Sequence, residues 1–394
     1  MAIRLYRHGL GDCTLIAIGD SKAKPFYILI DCGIHFRQDD ANARILQVLD
    51  DIVTATKGHI DVVIATHEHQ DHLNGFIAKG SPLLNGKLEV DQFWVAWTEK
   101  VGDRQADRLR AKKGTTRKAI KKAVKQLRKR SQTSLADQIE CAIDFENYPA
   151  GFVIDESLLS AANEEERPSA NEVTLEFLKQ QSDKVRYCEP GDVLTIPGRR
   201  NARAFVLGPP RNESLLKRSH PHKKNKKPVE TYLSGYTHHQ TFLAAPALGA
   251  ANDITWAENQ VIPPELRYPF DDRHRRTYKA GKGSVSWQGG TDKTTKKLNK
   301  LYFKEKWRRI DFDWLRQAEA LALQLDRDTN NTCLVIAFEL GEPGEGKVFL
   351  FPGDAQVGNW LSWRNQNYNV GSTEINADDL LRRYRTGERD FRHV

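Results

Sequence analysis

Apolar positions open the chain in short runs. Positions 3–6 and 13–18 read as strands separated by the turn Gly9-Leu10-Gly11-Asp12, and 26–30 is a third run that ends at Asp31-Cys32-Gly33. From 41 to 56 the pattern changes. Ile45, Val48, Leu49, Ile52 and Val53 fall at helical spacing, which predicts an amphipathic helix. Residues 60–65, IDVVIA, have the length and continuity of a buried strand. That strand runs directly into Thr66-His67-Glu68-His69-Gln70-Asp71-His72. Towards the end, 314–325 reads as a helix and 332–340 as a strand. Residues 341–346 make a turn, and 347–351 form the return strand of a hairpin that delivers Pro352-Gly353-Asp354. Strands first and then alternating elements predict an α/β protein.

Composition adds little until charge is placed along the chain. The 394 residues are 39% hydrophobic and 28% charged, with a mean hydropathy of −0.61. No run approaches the roughly 20 apolar residues that span a bilayer, and the first residues lack the apolar stretch of a secretory signal. Five widely spaced cysteines without C-x-x-C argue against a disulfide framework or a thiolate zinc site, and a reducing, cytoplasmic setting is expected.

The net charge of +8 conceals a contrast. Residues 104–130 carry 13 Lys/Arg against one acid, 211–230 carry seven against two, and 271–309 carry 13 against four. Those segments hold +26, leaving −18 for the rest. The first is expected to be helical after Thr116, with Ile120, Val124 and Leu127 docking on the body. Its cationic face, including Lys121, Lys122, Arg128 and Arg130, then stands in solvent as a candidate contact for a polyanion. The second reads as a loop. The third interleaves cations with Tyr278, Trp287, Tyr302, Phe303 and Trp307, a pattern that serves base stacking or simple anchoring.

Chemistry concentrates in H-x-H-x-D-H at the end of the buried strand. His67 and His69 are two apart and project to one side of extended backbone, Asp71 continues the row, and His72 follows where the chain turns. Imidazole nitrogen and carboxylate oxygen in this spacing suit one or two ions, zinc first, with manganese or iron admitted by the same donors.

The chain resembles the metallo-β-lactamase-fold metallohydrolase superfamily. The likeness rests on THEHQDH at 66–72, YILIDCG at 27–33 and VFLFPGD at 348–354. In pattern it is closest to the hydrolase domain of competence-type DNA-uptake proteins. The resemblance implies a four-layer αβ/βα sandwich, one domain over 1–394 with basic insertions at about 100–170 and 211–310. It implies His67, His69, Asp71, His72 and Asp354 as metal ligands, with Asp354 shared by both ions. Asp31 is implied to orient a ligand histidine, and Asp71 to take a proton from the attacking water.

Two positions depart from the family pattern. Gly208 stands where a further histidine is expected, and the only histidine after Asp354 is His393. Candidate substitutes are His35, His220, His222, His238 and His239. Two functions follow. One is a metal-dependent hydrolase acting on a phosphodiester, plausibly in nucleic acid, or another anionic substrate through a metal-bound hydroxide. The other is a degenerate metallohydrolase fold that binds or regulates with weak or no catalysis.

Overall fold

The computed structural model describes residues 1–19, 24–129, 133–143, 168–182, 184–219 and 317–386, with isolated positions at 278, 279, 284, 285, 293 and 297. In chain order the first elements are β1 (Ala2–Leu5), β2 (Cys13–Ile18), β3 (Phe26–Cys32), α1 (Ala41–Thr56), β4 (His59–Ile64), α2 (Gln70–Leu73) and β5 (Glu89–Ala96). Next come α3 (Arg104–Lys129), α4 (Thr133–Ala142), α5 (Ala170–Gln180), β6 (Val185–Cys188), β7 (Val193–Ile196), β8 (Arg199–Gly208) and α6 (Glu213–Leu216). The two-residue strands β9 (Tyr278–Lys279) and β10 (Ser284–Val285) follow, then α7 (Gln317–Asn330), β11 (Val335–Leu340) and β12 (Lys347–Phe351). The chain ends with α8 (Val357–Ser362), β13 (Asn367–Val370), β14 (Thr373–Asn376) and α9 (Ala377–Thr386). Helix α1 covers the predicted residues, and Ile45, Leu49 and Ile52 on its apolar stripe are fully buried.

Contacts divide the chain into two compact units, one of residues 1–110, 144–226 and 326–394, the other of 111–143 and 227–325. In the first, β1 to β6 form a six-stranded sheet in sequential order. The pairings β1/β2 and β2/β3 are antiparallel, and β3/β4, β4/β5 and β5/β6 are parallel. A second, antiparallel sheet runs β12-β11-β8-β7. The two sheets share a core. Ile16, Ile28, Ile30, Val62, Ile64 and Trp94 of the first pack with Leu194, Ala204, Val206, Ile336 and Phe338 of the second. Alternation sends the other side chains outward. Leu29, Val63, Phe93 and Val95 therefore meet α1 and α5, while Phe205, Leu207, Val335 and Ala337 meet Trp363, Tyr368, Ile375 and Leu380. The unit is an α/β sandwich of mixed and antiparallel sheets. No helix among the described residues is long and apolar enough to cross a membrane.

Helix α3 begins at Arg104, twelve residues before the expected start at Thr116, and its apolar stripe, which falls in the second unit, has a different destination. Ile120, Val124 and Leu127 bury against Ala136, Ile139, Ile143, Leu321 and Leu325 of the same unit. A 3.6-residue period fixes which face is buried, not what covers it. Lys121 and Lys122 are exposed. Arg128 forms ion pairs with Asp137 and Glu140 of α4, which offset part of its charge. Arg130, residues 220–230 of the second basic segment, expected as a loop, and most of the aromatic-rich third segment lie outside the described residues.

Candidate metal centre

The parallel pairing of β3 and β4 brings the ends of those strands side by side, with Ile30 opposite Ile64. Each strand delivers its polar residues just beyond the apolar register. Asp31 adopts φ 55°, a left-handed conformation that costs a non-glycine residue roughly 1–3 kcal/mol. The turn aims its carboxylate across to β4. Asp31 Oδ1 accepts from the Thr66 amide (2.8 Å) and Oδ2 from the Thr66 hydroxyl (2.6 Å). His72 Nδ1 is 2.9 Å from the same Oδ2. Asp31 is 1% exposed, so these partners replace water completely. The carboxylate thereby holds the His72 ring in one orientation.

Hydrogen-bond accounting then fixes a tautomer. Thr66 has one hydroxyl hydrogen, and Asp31 takes it. The same oxygen lies 3.0 Å from His67 Nδ1, so it accepts the Nδ1 hydrogen, and His67 Nε2 is left as the acceptor in its own pair. That Nε2 sits 2.9 Å from His69 Nδ1. The two rings are edge to face, with centroids 4.6 Å apart. Two imidazole nitrogens thus converge on one point.

Asp354 comes from the far side. Strand β12 ends at Phe351, and Pro352-Gly353 turn the chain so that Asp354 faces the histidines. Gly353 has φ 50°, and a Cβ there would lie 2.6 Å from Cys333 Sγ, so glycine is required on both counts. Asp354 Oδ2 is 3.9 Å from His67 Nε2 and 3.6 Å from His72 Nε2, so this one oxygen lies between the two histidines. Asp71, at the start of α2, places Oδ2 3.9 Å from His72 Nε2. Its Oδ1 is buried and has no hydrogen-bond partner among the described residues.

Ligand-type atoms gather in two adjoining groups that share Asp354. One is His67, His69 and Asp354; the other is Asp12, His72 and Asp354, and within each the atoms lie within 4.8 Å of one another. Asp12 was quoted above only as a turn residue. It ends the Gly9-Leu10-Gly11 turn, directly before the buried Cys13, and its position beside the motif comes from the β2/β3 hairpin. The donors suit a divalent cation on three counts: convergent imidazole nitrogens, a shared carboxylate and an orphaned buried carboxylate oxygen. A third group, His59, Asp61 and Asp91, is at the opposite end of β4 and β5, and Asp61 there already accepts the Tyr27 amide at 2.7 Å.

The electrostatics follow from this crowding. Burial pulls the His72 imidazole down, but the charge and hydrogen bond of Asp31, helped by Asp354 and Asp71, hold it well above its usual range. Burial pushes Asp354 up, and the histidines, His72 foremost, bring it below the usual carboxylate range. Asp12 is raised, chiefly by burial and then by the neighbouring carboxylates, against the pull of His72. Cys333, close by, is no thiolate: burial pushes it up to about 12.

The space beside Gly208 is filled. A Cβ built at 208 would overlap Asn359 Oδ1 and lie 2.8 Å from its Cγ. Asn359, on α8, is fully buried. Its amide donates to the carbonyls of Cys333 (2.8 Å) and Asn331 (3.3 Å), and its Oδ1 accepts from Trp363 Nε1 (2.9 Å). No substitute histidine joins either group among the described residues. His35 is half-buried and stacked on Phe36, while His220, His222, His238, His239 and His393 lie outside the described residues. Comparison with known proteins leaves this geometry to stand alone: no family model matches the chain, and no curated protein or solved structure matches it.

Proposed function

We propose that this chain is a divalent-metal-dependent hydrolase of the metallo-β-lactamase fold, acting on a phosphodiester or another anionic substrate. The observation that supports it most is the convergence of His67 Nε2, His69 Nδ1 and Asp354 Oδ2, with His72 on the other side of the same oxygen. His67, His69 and Asp354 would hold one ion, zinc by its nitrogen-rich donors. Asp71, His72, Asp12 and the shared Asp354 would hold a second. A bound divalent ion supplies Lewis acidity and activates water at neutral pH.

The chain's own groups do the rest. Asp31 fixes the His72 ring, and Thr66 fixes the His67 tautomer. Asp71 Oδ1, free of hydrogen bonds among the described residues, is the acceptor for a proton from the attacking water. Cationic side chains such as Lys121 and Lys122 favour a polyanionic substrate, nucleic acid included. Asn359 beside Gly208 favours a second reading, a binding or regulatory module that kept the ligands without turnover.

The test is hydrolysis of bis(p-nitrophenyl) phosphate by protein loaded with zinc or manganese, with D71N as control. Turnover that D71N lowers by about 10²-fold or more supports the hydrolase, since a positioned base contributes on that scale. Bound metal without turnover, on this ester and on oligonucleotides, selects the binding module.

A further inference from the structure

His69 is approached from two sides, and one of them lies outside every motif in the sequence. Its Nδ1 faces His67 Nε2, on the side where the ligand atoms converge. Its Nε2 faces away, 3.7 Å from Asp326 Oδ1. The His69 side chain is 2% exposed and that of Asp326 26%, so the pair is poorly screened by solvent. Asp326 lies on α7, just before its last turn.

We propose that Asp326 is a positioning residue for the His67/His69 metal position. Without an ion, the hydrogen between His69 Nδ1 and His67 Nε2 bridges the two rings; with an ion bound, Asp326 would favour the His69 tautomer with its hydrogen on Nε2, so that Nδ1 ligates at the point where His67 Nε2 also aims. The inference rests on the metal reading above and adds a residue to it. With Asp326, every motif histidine has an oxygen on the nitrogen that faces away from the cluster. Thr66 Oγ1 stands behind His67, Asp31 behind His72, and Asp326 behind His69. The role carries more weight here than in a site with three imidazoles, because Asn359 fills the space beside Gly208. The position then draws on two histidines and Asp354, and the basicity and fixed orientation of each imidazole decide its affinity.

The experiment titrates the metal-free full chain with Co2+, followed by its d–d absorption, and with Zn2+ against a competing chelator. D326A, D326N and D326E are compared with the wild type and with H69A, and circular dichroism and thermal melts of the metal-free proteins monitor folding. D326A and D326N are expected to weaken one binding event about 10- to 100-fold, the usual loss when a ligand histidine loses its backing carboxylate. They also alter the Co2+ band that H69A removes, and D326E recovers most of the affinity. Wild-type affinity and an unchanged Co2+ spectrum in D326A overturn the inference while leaving the metal reading intact. A loss shared equally by D326E and accompanied by a lower melting temperature without metal marks a purely structural role and also overturns it. Wild-type protein that binds neither ion overturns both readings together.

Discussion

Substituting Gly208 by alanine adds one methyl group, and the structure says that this methyl has nowhere to go. It would overlap Asn359 Oδ1 and press on Cγ at 2.8 Å. Asn359 cannot swing aside cheaply, because it is fully buried and bonded to the Asn331 and Cys333 carbonyls and to the Trp363 indole. At about 1 kcal/mol net per hydrogen bond, displacing it costs on the order of 3 kcal/mol, and orphaned buried partners add to that. Urea unfolding followed by tryptophan fluorescence would show G208A destabilised by about 3–5 kcal/mol. N359A alone costs a similar amount. The double variant G208A/N359A should fall well short of the sum, by about 2 kcal/mol, since the new methyl then occupies vacated space. A G208A protein within about 0.5 kcal/mol of wild type, the ordinary range of a surface change, refutes the reasoning. Asn359 would then yield to the added methyl and not hold Gly208 as a packing partner.

Other consequences can be measured alongside. D31A removes the acceptor for the Thr66 amide, the Thr66 hydroxyl and His72, so it should lower metal affinity at least 10-fold and destabilise the metal-free protein by about 3 kcal/mol; chelator competition and urea melts report the two effects. Arg203 and Glu339 form an ion pair between β8 and β11 with side chains 5% and 0% exposed, so E339A should cost about 3–5 kcal/mol in urea, while R203M/E339L recovers much of the loss. Because His72 is held well above its usual pKa without metal, a cation must displace its proton. Metal affinity should therefore fall as pH is lowered from 8 towards 6, with proton release visible by calorimetry in buffers of different ionisation enthalpy. For the polyanion proposal, K121Q/K122Q should reduce the salt slope of oligonucleotide binding by about two phosphate contacts, and an unchanged slope argues against that helix face.

Much of the framework was legible because local pattern and burial agree. The α1 stripe, the β2 strand and the β11–β12 hairpin appear where the sequence predicts, each needing only a 3.6- or 2-residue period. The motif histidines were legible for a chemical reason, since imidazoles and a carboxylate at the end of an apolar strand have few other uses. Four features were not. Asn359 reaches Gly208, and Asp326 reaches His69, only through tertiary packing, and neither residue carries a local mark. Asp12 had a weak signal, an acid directly before a core strand, but its partner His72 depends on the β2/β3 register. The destination of the α3 stripe was also hidden, because amphipathicity names the buried face and not the surface that meets it.

The most direct test of the metal centre is elemental analysis of the purified full chain beside its H67A/H69A variant, after both are equilibrated with zinc and manganese and freed of loose ions. The wild type is expected to retain one to two equivalents, and the variant to lose the ion proposed for His67, His69 and Asp354. Equal metal content in the two proteins contradicts that expectation.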